Sequence, residues 1–169
     1  IENEPLSTFG SILPAIKTIP QSEFLEIYGD ILVAFDLYRF YEDFKKYPTS
    51  HTHIFTRISN HPKDSDKIQI DDRNFVSRFI SKNSPFSNLD PSTTTSGIYI
   101  AKKEFFTLLD NWSGQKCDLY SEVLPINGNL INATAYLSSE FVLDVVTEER
   151  YKIANELVRS SSLISKSYL

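Results

Sequence analysis

Apolar and polar positions change rhythm several times along this chain, and each change marks an element. Ile12, Leu13, Ile16 and Ile19 recur at helical spacing, with Ser7 or Thr8 placed to cap and Pro20 to stop the helix. Phe24–Tyr28 is an apolar run that predicts a strand; it breaks at Gly29-Asp30, and a second apolar run follows. Asp36 offers a carboxylate cap to a helix from Leu37 to Tyr47, striped by Phe40, Tyr41 and Phe44 and ended by Pro48. His53–Ile58 alternates as a strand. "KIQIDDRNFVSRFIS" alternates, crosses the turn formers Asp71-Asp72-Arg73-Asn74 and alternates again, which predicts a β-hairpin.

Asn83–Thr95 is rich in Ser, Thr, Pro and Asn and reads as a long loop. Gly97–Ile100 reads as a strand and Lys102–Asn111 as a helix. Asp118 caps a short helix expected to end before Pro125. Leu130–Leu137 and Phe141–Val146 read as strands. Thr147, with Glu148 and Glu149 in the first turn, opens a last helix that reaches Ser160. The alternation of strands and helices, with a hairpin midway, predicts an α/β fold with a mixed sheet. One domain spans 1–160, and 161–169 is a weakly patterned tail.

Composition narrows the picture only a little. With 169 residues, 41% hydrophobic and 23% charged, the chain suits one globular domain with a real core. A net charge of −5 gives no electrostatic footprint for nucleic acid or an anionic membrane. A phosphorylated substrate would need locally placed cations or a metal. Cys117 is the only cysteine, so no internal disulfide can form, which points to a reducing, cytoplasmic setting. No apolar run has the length of a membrane span, no signal peptide is visible, and Asn132-Ala133-Thr134 reads as a chance glycosylation match. The chain starts at Ile1 and has no methionine, which reads as processed, truncated or incompletely recorded.

Three features carry candidate chemistry. Gly29-Asp30 follows a strand, where a glycine admits close approach of a ligand and a carboxylate can hold Mg²⁺. Asp144 is a lone acid inside the apolar run "FVLDVV" and needs a cation, donors or a metal. The two acids together could make a two-carboxylate Mg²⁺ site. Asp64-Ser65-Asp66 looks like the D-x-D of sugar-nucleotide glycosyltransferases, although it precedes rather than follows a strand. His51, His53 and His61 lack zinc spacing, and the P-loop, G-x-G-x-x-G and G-x-S-x-G motifs are all missing.

Six stretches in order, over roughly residues 2–155, resemble the sugar-1-phosphate nucleotidyltransferases. "ENEPLSTFGSILPAI" is similar to E-x-P-L-G-T-A-G-A-[IL], and "FLEIYGDILVAFDL" to F-L-V-x-x-G-D-I-x-x-x-x-D-L. "IQIDDRNFVSRFISK" looks like V-x-x-D-x-x-x-x-x-x-F-x-E-K-P, and "TSGIYIAKKEFF" looks like N-A-G-I-Y-x-x-x-x-x-[FL]. "CDLYSEVLP" resembles [FS]-D-L-E-x-D-[VL]-[LF]-P, and "FVLDVVTEERYKIAN" resembles W-x-D-I-G-T-P-E-D-Y-x-x-A-N. "HPKDSDKIQID" further resembles the branch that makes GDP-activated mannose or heptose.

The resemblance implies a Rossmann-like mixed sheet of the nucleotide-diphospho-sugar transferase type, with the N-terminal strands missing. It implies a cytoplasmic transferase that joins a nucleoside triphosphate, GTP favoured, to a sugar 1-phosphate and releases pyrophosphate. Asp30 and Asp144 become the catalytic metal carboxylates for Mg²⁺; Gly10, Gly29, Lys82, Thr95 and Gly97 become substrate-binding positions. No nucleic acid or membrane partner is implied, and a homo-oligomer stays open.

The chain also departs from the pattern. Ser81 stands for the usual Glu, Asn83 for Pro, Thr95 for Asn, Ser7 and Phe9 for small residues, and Val146 and Glu148 for Gly and Pro. The G-x-G-[ST]-R loop that would cradle a triphosphate is not in the sequence, so the 169 residues alone are expected to be inactive. Two competing readings stand beside the enzyme: a non-catalytic paralogue or regulatory subunit that binds nucleotide sugar, and a glycosyltransferase using Asp64 and Asp66.

Overall fold

A computed structural model describes residues 4–58, 65–85 and 93–160. Asp64, His61, residues 86–92 of the expected long loop, and the tail lie outside them.

A mixed sheet organises these residues. Strands β1 (Glu23–Ile27), β3 (Thr52–Ile58), β4 (Lys67–Ile70), β5 (Val76–Ile80), β6 (Thr93–Lys102) and β7 (Ala133–Leu137) form it. Its path runs β5-β4-β6-β3-β7, with β1 also paired to β6. β6 is antiparallel to β1, β3 and β4, whereas β3 and β7 are parallel. The carboxyl ends of β1 and β3 therefore meet the amino end of β6 at one rim. A separate antiparallel ribbon joins β2 (Ile31–Ala34) to β8 (Phe141–Asp144), placing Ile31 opposite Asp144.

Side-chain alternation buries the sheet on both faces. On β6, Tyr99 and Ala101 join one core with Phe9, Leu13, Phe105 and Leu119. Ile98 and Ile100 join the other with Phe40, Phe44, Phe55 and Tyr136. The first face is covered by α1 (Ser7–Gly10), α2 (Ile12–Thr18) and α4 (Lys103–Leu108), the second by α3 (Leu37–Lys45). The result is a three-layer α/β/α arrangement.

Capping explains several boundaries. Asp36 Oδ1 accepts from Arg39 N at 2.9 Å, fixing the start of α3 as its sequence suggests, a contact worth about 1 kcal/mol. Thr147 accepts from Arg150 N at 3.2 Å and opens α6 (Glu148–Arg159). In the hairpin turn, Asp71 Oδ1 accepts from the amides of Arg73 and Phe75, and Asn74 takes the left-handed conformation at φ 64°.

Three expectations change, and one stretch that the sequence left unassigned gains an element. Neither Ser7 nor Thr8 caps the first helix; the Thr8 hydroxyl donates to Asp118 instead, at 2.7 Å. Thr93–Thr95 belongs to β6, because Lys67 pairs with Thr94 and extends that strand beyond its apolar part. The second apolar run after Gly29-Asp30 is a strand of its own, β2. The helical segment capped by Asp118 does not stop before Pro125. A π-helical turn, Leu119–Val123, passes directly into α5 (Leu124–Asn127), where Pro125 lies in the first turn and needs no amide donor.

Candidate active site

At the rim where β1 and β3 end and β6 begins lies a cleft of about 330 Å³. That is where open α/β sheets bind ligands. Asp30, in the turn after β1, and Asp144, the last residue of β8, both line it. The ribbon brings them together across 114 positions of chain: Ile31 faces Asp144, and Val145 N donates to the Asp30 carbonyl at 2.8 Å. Lys82, Thr95 and Gly97 line the same cleft.

The two other glycines expected at the site, Gly29 and Gly10, fall outside the lining. Gly29 is exposed between Tyr28 and Asp30, and a Cβ there would meet nothing within 4 Å. Gly10 is buried in α1, where a Cβ would sit 1.9 Å from the Gln115 carbonyl oxygen. Its missing side chain accommodates that neighbouring segment.

Gly97 has a demanding position. Its φ is +73°, and a Cβ would lie 2.9 Å from the Tyr28 ring. The register of β3 against β6 slips between Ile54 and Thr56, where β6 carries extra residues around Gly97. Such a bulge re-aims backbone beside a site. Thr95 is held by its amide, which donates to the Asp66 carbonyl at 3.2 Å.

Further residues line the cleft beyond the expected set. Arg57, at the end of β3, donates from its guanidinium to the Val142 carbonyl and so tethers the sheet to the ribbon. Asp66 accepts from the Lys82 amide at 2.9 Å; burial pushes its carboxyl up, opposed by that amide and by the Lys82 charge. Asp118 is partly buried, which alone would raise it, but bonds from Ser121, Thr8 and Tyr120 hold it below the usual carboxylate range. Tyr28 and Tyr120 complete that wall. Ser81, at the position of the family's usual Glu, is buried, accepts from Asn83 N at 3.2 Å and does not line the cleft.

Four carboxylates, Asp30, Asp66, Asp118 and Asp144, outnumber the cations Arg57 and Lys82 in the lining. Such a cleft attracts a divalent cation and, without one, repels phosphate. Among the described residues no three His, Cys, Asp or Glu groups cluster as a metal site. Asp30 and Asp144 nevertheless fit Mg²⁺ in kind, since that ion commonly takes one or two carboxylates and completes its shell with water and phosphate oxygens. Asp144 is not idle. Its Oδ2 accepts from Arg150 Nη1 at 3.1 Å and its Oδ1 from Val146 N at 3.1 Å, in a half-exposed setting. Arg150 stands where the W-x-D-I-G-T-P-E-D motif has an acid.

By sequence, no family model and no curated protein matches the chain. Solved structures do. HddC from Yersinia pseudotuberculosis is similar with a TM-score of 0.68 at 24% identity, covering 94% of this chain and 65% of that one. A protein assigned as a glucose-1-phosphate thymidylyltransferase from Bacillus anthracis, solved with sucrose, gives 0.75 at 15%, covering 94% and 63%. An apo UDP-glucose pyrophosphorylase gives 0.77 at 14%, covering 95% and 62%. The chain therefore has the fold of the nucleotide-diphospho-sugar transferases, and it spans under two thirds of the length of these sugar-1-phosphate nucleotidyltransferases. Among the described residues no helix is long and apolar enough to cross a membrane.

Proposed function

We propose that the full-length protein joins a nucleoside triphosphate, with GTP favoured, to a sugar 1-phosphate, giving a nucleotide sugar and pyrophosphate. The observation that carries this reading is the convergence of Asp30 and Asp144 in one rim cleft of this fold. The GTP preference is supported by the likeness to HddC, which was also solved with GMP-PN.

An oxygen of the sugar phosphate attacks the α-phosphorus, and the bond from that phosphorus to the β-phosphate bridging oxygen breaks. Asp30 and Asp144 would hold Mg²⁺, which supplies charge neutralisation at the phosphate oxygens. Arg57, fixed by its bond to Val142, adds positive charge on the ribbon side of the cleft. Lys82 adds it on the hairpin side, where its backbone is pinned by Asp66. Thr95 and the bulge at Gly97 set the floor on which the sugar lies. No loop of the type G-x-G-[ST]-R is in the sequence, so the 169 residues by themselves are not expected to turn over.

A second reading, a non-catalytic subunit that binds nucleotide sugar, is favoured by two observations. Ser81 is turned away from the cleft, and Arg150 already engages Asp144. Pyrophosphate release by the full-length protein, across GTP, CTP and UTP with several sugar 1-phosphates, separates the two. Metal-dependent turnover with one pair supports the enzyme. Retained nucleotide-sugar binding without turnover by any pair supports the subunit.

A further inference from the structure

We propose that Arg150 is a built-in competitor for the divalent cation, a tethered positive charge that occupies Asp144 and must be displaced before a metal binds there. The inference rests on the metal-carboxylate reading above and adds how that same site is regulated.

Arg150 reaches Asp144 from outside the cleft. Asp144 is part of the lining and Arg150 is not. The Arg150 guanidinium donates to Asp144 Oδ2 at 3.1 Å, and the Val146 amide donates to Oδ1 at 3.1 Å. Both carboxylate oxygens are therefore engaged by the segment that follows β8. The guanidinium offsets the very charge that would draw a cation to this carboxylate. An arginine in place of the motif's acid reverses the charge beside Asp144.

The guanidinium is placed where it can leave. It belongs to the first turn of α6, where the helix dipole disfavours a cation and suits the acids Glu148 and Glu149. The residues three and four positions away are Val146, Thr147, Ile153 and Ala154, so its neighbours on that helix face include no acid. The pair is half-exposed, at 33% for the Arg150 side chain and 48% for that of Asp144. An ion pair so exposed is worth little and gives way to a better partner. The helix itself is lightly seated. Ala154 is its one buried residue, while Tyr151, Ile153 and Val158 are exposed. Its first turn can yield without opening a core.

A divalent cation and the guanidinium repel across one carboxylate. Each then weakens binding of the other by the same factor. Arg150 thus sets a threshold of free cation below which Asp144 stays paired with the helix and the cleft stays short of its metal.

The test uses full-length protein and Mn²⁺ alone, an ion with the oxygen-ligand preference of Mg²⁺, with bound ion followed by electron paramagnetic resonance. Arg150→Ala and Arg150→Gln are expected to bind Mn²⁺ about threefold more tightly than wild type, the scale of a half-exposed ion pair. Arg150→Lys keeps the charge and should stay within about twofold of wild type. Unchanged or weaker Mn²⁺ binding in either neutral variant overturns this inference; if Asp144→Asn still abolishes binding, the metal assignment stands. A Lys variant that gains as much as Ala also overturns it, because loss of charge is then not the cause. Wild-type Mn²⁺ binding that survives Asp144→Asn unchanged overturns the metal-carboxylate reading, and this inference with it.

Discussion

Two buried polar clusters sit at opposite ends of β3 and are finished to different degrees. Under α3, the Ser50 hydroxyl donates to the Thr52 carbonyl at 2.7 Å and meets the Thr134 hydroxyl at 2.9 Å. His53 Nδ1 meets that same hydroxyl at 2.8 Å, and Thr52 donates to the Ile100 carbonyl at 3.0 Å. His53 Nε2 lies 3.3 Å from Asp43, close but poorly aligned. At the cleft end, Tyr99 donates to Glu26, while the hydroxyls of Tyr28 and Tyr120 find no partner. The difference teaches where the fold satisfies its polar groups internally and where it leaves them unpaired.

Breaking the cleft end where charge is handled should have the largest effect. Asp30→Asn or Asp144→Asn in the full-length protein should lower metal-dependent pyrophosphate release on the order of 10²–10³-fold, with an unchanged circular dichroism spectrum. Wild-type rates in both variants would falsify the two-carboxylate assignment.

Next in size is a pair of opposed pH dependences, one from each cluster. Burial pushes Glu26 up from 4.5 to about 7, with the Tyr99 bond opposing. Its favourable contribution is present in full below about 4.5 and is lost as pH rises through about 7. Burial pushes His53 down from 6.5 to about 4, opposed by Asp43. Its contribution is present above about 6.5 and is lost as pH falls through about 4. Each spans about 3 kcal/mol, and they nearly cancel between roughly pH 4.5 and 6.5. Urea titrations of Glu26→Gln should show stability rising across that window, and His53→Gln should show it falling. Parallel slopes in the two variants would reject the opposition.

A smaller effect sharpens the contrast directly. Thr134→Val strips a partner from both Ser50 and His53 and should cost about 1–3 kcal/mol in chemical denaturation. The loss of a hydroxyl at Tyr120 should cost nothing. Equal losses would erase the distinction between the clusters. The smallest change is expected from Arg150→Ala, which removes a half-exposed pairing worth up to about 1 kcal/mol from Asp144. The Mg²⁺ concentration for half-maximal activity should fall about threefold; a rise would mean that Arg150 assists the metal site.

The sequence made parts of this legible for physical reasons. Capping and turn chemistry are local, so the Asp36 helix and the Asp71–Asn74 turn could be read from neighbouring residues. Asp30 and Asp144 were legible through motifs, but their shared cleft depends on a ribbon of two four-residue strands far apart in the chain. Short apolar runs do not announce their partners. Thr93–Thr95 read as loop because its composition is polar, and pairing with β4 overrides that. Tyr28 closes an apolar run, and Tyr120 lies in a short capped helix, so neither position stands out in the sequence. The one available signal was Tyr120 at the acid position of the [FS]-D-L-E motif. That a hydroxyl lacks a partner can only be seen once the chain is folded. Arg57 offered no signal beyond a lone cation at a strand end.

The bulge at Gly97 ties one backbone position to one ring. A side chain at residue 97 would displace Tyr28 and would also carry the strain of a φ of +73°, so residue 97 can change only together with residue 28. Residue 28 is less constrained, since a smaller side chain there leaves Gly97 undisturbed. Substituting both together should cost less than the separate losses added.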